Sequence, residues 1–170
     1  MNKSLSILLL SAFPVLALAA GNQSDGHGQD MVEMHKNMAG MHQGANDSAA
    51  GMAGDPAKVS RTIGISMDDT MRFTPEQISV KVGETIRFFV KNAGKLDHEM
   101  VIGTSDELKA HAEMMRAMPG MKHAERNMIA LASGQRGGIV WQFDKAGQVD
   151  FACLIPGHSA AGMAGKIQVE

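Results

Sequence analysis

Cys153, His158 and Met163 stand at i, i+5 and i+10 in the run Cys153-Leu154-Ile155-Pro156-Gly157-His158-Ser159-Ala160-Ala161-Gly162-Met163, and the chain has no other cysteine. A thiolate, an imidazole and a thioether, joined by one more imidazole, form the ligand set of a blue-copper site: Cys and two His in a trigonal plane with a long axial Met. Soft sulfur donors with imidazoles favour copper over magnesium or calcium. The spacing makes sense if one strand ends at Cys153 and the next begins near Met163, so that three ligands converge from a single tight loop. Pro156-Gly157 turns the chain before His158, and Gly162 permits close approach beside Met163. The fourth ligand must come from another strand end. His98 is the natural source, since it follows the strand pattern over residues 85–91 and the turn Asn92-Ala93-Gly94. Taken singly, a lone Cys is more often inert core than ligand. A catalytic Cys–His pair would leave Met163 without a role and finds no obvious orienting partner. Structural zinc prefers more than one thiolate.

Thioethers and imidazoles recur elsewhere, with 15 Met and seven His in 170 residues and no Tyr. One set is the repeat Met31, Met34, His35, Met38, Met41 and His42, in which the Met-His pair returns after seven residues and the Met positions share one helical face. Chance composition and an amphipathic partner-binding helix compete there with Cu(I) capture. A second set is His111, Met114, Met115 and Met118, at i, i+3, i+4 and i+7 of a predicted helix. A stripe packing that helix on the core explains most of it. Met121 and His123 extend the pattern past Pro119-Gly120, where helix packing no longer dictates it, and keep an auxiliary Cu(I) site in view.

The elements that must position these residues are legible from composition. Lys3, an apolar run from Leu5 to Leu18 and Ala17-Leu18-Ala19 read as a secretory signal over residues 1–19. That run is too short to span a bilayer comfortably, so no membrane span is expected after cleavage. Export with a single Cys points to a bacterial periplasm, where a metal bond would protect the thiol. Residues 20–58 are rich in Gly, Ser, Asn, Asp and Gln and are expected to be a disordered leader. Residues 59–170 should form the domain. Strand patterns over 59–67, 77–82, 85–90, 100–102, 138–143, 148–153 and 166–169, with turn residues between, predict an all-β antiparallel Greek-key sandwich. A helix over 106–117, capped by Ser105 or Asp106, and a helical turn over 122–130 form an insert at about 105–130. Without Lys3 the chain carries 15 basic and 18 acidic side chains, and no basic stripe suggests nucleic acid.

The loop around Cys153 resembles those of the cupredoxins, among them azurin, plastocyanin, pseudoazurin, auracyanin and rusticyanin. Phe151-Ala152-Cys153 through Gly162-Met163-Ala164-Gly165-Lys166-Ile167, Val82-Gly83-Glu84-Thr85, His98-Glu99-Met100-Val101-Ile102-Gly103 and Trp141-Gln142-Phe143 carry the resemblance over residues 59–170. It is nearest to the periplasmic Met/His-rich copper-tolerance cupredoxins of the CopI type. The resemblance implies a cupredoxin sandwich with His98, Cys153, His158 and Met163 as copper ligands. It also implies copper handling through a redox-active mononuclear Cu(II)/Cu(I) site, with a dedicated electron-transfer shuttle as the alternative. The expected partner is a periplasmic redox or copper-handling protein, and the chain is expected to be a monomer. Four protein ligands leave no open position for a substrate, so no enzyme is expected. One departure stands out: Glu99 follows the first His, where azurin and plastocyanin have an Asn that ties the two ligand loops together.

Overall fold

A computed structural model describes residues 48–118 and 124–170 of the chain. Alternation of apolar and polar side chains builds two facing five-stranded sheets. The first runs β1(Met52–Ala53), β8(Arg136–Gln142), β5(Thr85–Asn92), β2(Arg61–Asp68), β3(Arg72–Thr74) in spatial order. The second runs β4(Gln77–Val80), β10(Ala164–Val169), β9(Gly147–Ala152), β6(His98–Gly103), β7(Met128–Leu131). In β5, Ile86, Phe88 and Val90 face the partner sheet while Arg87, Phe89 and Lys91 face solvent. Between the sheets, Phe73 and Phe151 meet edge to face at 5.0 Å, and Phe88 and Phe143 do so at 6.3 Å. The all-β sandwich is thus as expected, but it is not purely antiparallel: β2 pairs with β5 and β4 with β10 in parallel. Each parallel pair is joined by a chain that crosses between the sheets.

The insert lies between the neighbouring strands β6 and β7 of one sheet. Its helix, α1(Ser105–Ala117), starts one residue earlier than expected, with Thr104 rather than Ser105 or Asp106 as the cap. Thr104 accepts a bond from the Glu107 amide, and the Glu107 carboxylate accepts one from the Thr104 amide. Such a reciprocal cap satisfies two orphan donors of the first turn. The helix packs through Leu108 and Ala112 onto Val101, Ala152 and Leu154. That cover explains why all six residues of β6 are buried: one face meets the core and the other lies beside the helix. The helical turn expected over 122–130 does not form in its described part. Met128 begins β7, which pairs antiparallel with β6, and strand pairing there overrides local helix propensity.

The domain also starts earlier than the boundary at residue 59. Residues 48–58, expected to belong to a disordered leader, are ordered: β1 pairs with β8, and residues 56–58 form a short 3-10 turn. Ala50 is buried, and its carbonyl accepts the Trp141 indole N–H at 2.8 Å. Gly54 needs its missing side chain, because a Cβ there would press on Thr85 and Val140. Among the described residues no helix is long and apolar enough to cross a membrane. The expected signal and leader residues 20–47 lie outside the described residues.

Candidate metal centre

The expected donors come from two adjacent strands at one end of the sandwich. His98 opens β6, and Cys153 directly follows β9, which pairs with β6. The loop after Cys153 is closed at its neck by the Cys153 amide donating to the Met163 carbonyl at 3.1 Å. Within it, His158 N–H donates to Ile155, and Met163 N–H donates back to the His158 carbonyl. Gly157 and Gly162 take φ of 92° and 102°, values that glycine tolerates and other residues resist. The expectation of one tight loop with Gly at those two points is met in this geometry.

This folding brings one nitrogen of each imidazole and the Cys153 sulfur within 4.8 Å of one another. The His158 Nδ1 lies 3.3 Å from the Cys153 Sγ, and the two imidazole rings are 5.1 Å apart. Met163 is fully buried in the same core cluster as Cys153. The decisive atom is Nδ1 of His98. It is buried with no hydrogen-bond partner, which a polar group in a protein interior rarely tolerates without a function. Two inward nitrogens, a thiol and a neighbouring thioether suit a soft transition metal and give magnesium or calcium nothing to bind.

Electrostatics agree with that use. Burial pushes the Cys153 thiol up to about 11, so the copper-free protein holds a protonated thiol and metal must displace that proton. Burial, and after it the nearby His98, lowers the pKa of His158, which keeps its ring neutral and able to coordinate.

Two supporting residues, Asp69 and Arg72, carried no signal in the sequence. Asp69, in the turn between β2 and β3, accepts the amides of Lys95 and Leu96 and faces His98 Nε2 at 3.2 Å. Asn92 is fully buried and holds the chain before His98, donating to Leu96 and Leu131 carbonyls and accepting from the Gly94 amide. Arg72 reaches from β3 to the Ala161 carbonyl at 2.9 Å and pins the ligand loop. Glu99 answers the departure noted from azurin and plastocyanin. Its buried carboxylate accepts the Leu154 amide at 2.9 Å, so the two ligand segments are tied together with Glu in place of Asn. The Glu99 amide also faces the Cys153 sulfur at 3.5 Å.

The chemistry of this cluster has a family counterpart. Residues 59–170 match the model of copper binding proteins of the plastocyanin/azurin family. The chain belongs to the plastocyanin/azurin family. Its likeness to curated relatives makes it a cupredoxin of the CopI type. It is 50% identical over 155 residues to the copper-resistant cuproprotein CopI of Rubrivivax gelatinosus, covering 91% of this chain and 92% of that one. The protein of the same description from Vibrio cholerae serotype O1 is 34% identical, with 79% of each chain covered. Among solved structures, reduced auracyanin from Roseiflexus castenholzii superposes with a TM-score of 0.55 and 27% identity, over 66% of this chain and 98% of that one. Auracyanin A of Chloroflexus aurantiacus, 22% identical with a TM-score of 0.54 over 64% and 98%, shares the fold. Copper is the metal of this cupredoxin, and copper binding and handling are its function.

The other Met and His residues of this cupredoxin are placed unevenly. His111, Met114, Met115 and Met118 are half-buried on or just after α1, and none of them joins either core cluster. The helix packs without them, contrary to the core-stripe reading. Met31, Met34, His35, Met38, Met41, His42, Met121 and His123 lie outside the described residues.

Proposed function

We propose that the chain is a periplasmic type 1 copper protein of copper tolerance. In this reading His98, Cys153, His158 and Met163 would hold one copper. The observation that carries it is the convergence of the two imidazoles and the thiol within 4.8 Å around a buried, unpartnered His98 nitrogen. Copper bound there supplies one-electron chemistry between Cu(II) and Cu(I). The chain's own contribution is to fix the donors, to exclude water from Cys153 and Met163, and to expose one side of His158. With four protein donors the site has no place for a substrate, which supports a binding rather than a catalytic role. The CopI relatives support copper resistance as the physiological setting, and the signal pattern supports the periplasm. The Met and His residues of the leader and of α1 would take up further Cu(I), with a periplasmic copper-handling or redox protein as partner to a monomer.

A dedicated electron shuttle is the second reading. It is favoured by the exposed small and apolar residues Pro156, Ala160 and Ala161 on the same loop as His158, which could form a docking surface for a redox protein.

Visible absorption and electron paramagnetic resonance of the copper-loaded mature chain test the site. An intense thiolate-to-copper band should appear in the native protein and vanish in Cys153→Ser. Retention of the band in that variant would refute the site. Anaerobic Cu(I) competition then separates the two readings: more than one copper per chain supports copper handling, and a single copper supports the shuttle.

A further inference from the structure

The carboxylate of Asp69 stands against the outer nitrogen of His98, and its placement is built rather than incidental. Asp69 accepts the Lys95 amide with both oxygens, at 3.0 and 2.8 Å, and the Leu96 amide at 3.1 Å. The chain that carries His98 therefore wraps around this one side chain. Gly94 completes the cradle, since a Cβ there would collide with the Asp69 carboxylate. His98 is fully buried and offers Asp69 its Nε2 at 3.2 Å, while its Nδ1 is buried with no hydrogen-bond partner, and the ring brings one nitrogen within 4.8 Å of the Cys153 sulfur.

We propose that Asp69 is the positioning residue of the copper site: it holds the Nε2–H of His98, leaves the Nδ1 lone pair for the metal, and biases the bound ion toward Cu(II). The tautomer of a ligating His is set by the bond its other nitrogen makes, and a carboxylate there raises the basicity of the ligand. A negative charge beside the imidazole stabilises the more positive state of a one-electron couple. A neutral acceptor at the same place would fix the ring without that bias. About a third of the Asp69 side chain is exposed (36%), so solvent screens part of the charge and the effect belongs at the low end of the range for such outer partners. The inference deepens the copper-site reading and rests on it.

The experiment pairs a measurement on metal-free protein with one on the copper-loaded chain, both using the mature protein. In the metal-free protein at mildly alkaline pH, long-range proton–nitrogen NMR should show His98 as the Nε2–H tautomer. An Nδ1–H tautomer would overturn the proposal without any variant. For Asp69→Asn, which keeps an acceptor oxygen but removes the charge, the ratio of Cu(II) to Cu(I) affinity should fall about tenfold. For one electron this is a rise in reduction potential of about 59 mV. Asp69→Glu should recover at least part of the shift. An unchanged ratio in a folded Asp69→Asn protein would overturn the charge bias. Failure of the copper-site reading is a separate result: the native protein would then show no thiolate-to-copper band, whatever tautomer His98 adopts.

Discussion

At the scale of single residues, burial holds Cys153 and His158 of the metal-free protein more firmly in their neutral forms than water would. Cys153 is fully buried, and that desolvation raises its pKa from 9.0 to about 11. The sign of the linkage follows from the raised value: the protonated thiol favours the native state below pH 9.0, and this contribution is lost as pH climbs through about 11. Alkylation of Cys153 by iodoacetamide in the metal-free protein should therefore be slow at neutral pH and accelerate toward pH 11. The stability gap between native protein and Cys153→Ser should change over the same window. Alkylation at neutral pH as fast as that of a free thiol would contradict the burial argument. The proposed donor role of Met163 has its own test. Met163→Leu should keep the visible band and raise the reduction potential, because losing a weak donor destabilises Cu(II). A drop in potential would remove Met163 from the ligand set.

Among the elements, the site depends on joints between strand ends that sequence distance hides. Glu99 on β6 accepts the Leu154 amide beyond β9, which links the His98 segment to the Cys153 loop. Glu99→Ala leaves that buried amide without an acceptor, at a cost of about 1–3 kcal/mol. Thermal unfolding of the metal-free protein should show the loss, and Glu99→Gln, which keeps an acceptor oxygen, should recover most of it. Equal stability of Glu99→Ala and native protein would mean that the joint contributes nothing. The helix α1 was readable as a helix because its Ala, Glu, Leu, Lys and Met favour one, although its cap is Thr104 with Glu107 and not Ser105 or Asp106. Its contact face was not readable. The Met stripe has the spacing of a buried face, yet Leu108 and Ala112 make the contact, because only the assembled sheet decides which side of a helix it meets. The same holds for 128–131, where local composition favours helix and pairing with β6 makes a strand.

For the whole molecule, the boundary of the domain alters what truncation should do. Deleting residues 20–47 should leave the fold and the visible band intact and reduce only additional copper uptake. Extending the deletion to residue 57 removes β1 from β8 and the Ala50 carbonyl from Trp141. An unpaired buried indole N–H costs about 1–3 kcal/mol, so the longer truncation should melt several degrees lower. Equal melting temperatures would return residues 48–57 to the leader. What the sequence determined by itself was the set of candidate donors and the sandwich class. Coordination chemistry needs only residue types on a short loop, and strand alternation is a local pattern. The tertiary structure alone decided what surrounds those donors. Asp69 meets His98 across 29 residues, Glu99 meets Leu154 across 55, Arg72 meets Ala161 across 89, and Trp141 meets Ala50 across 91. Contacts of that range leave no periodicity or spacing in the chain, since each partner is chosen by how the sheets stack and not by its neighbours in sequence.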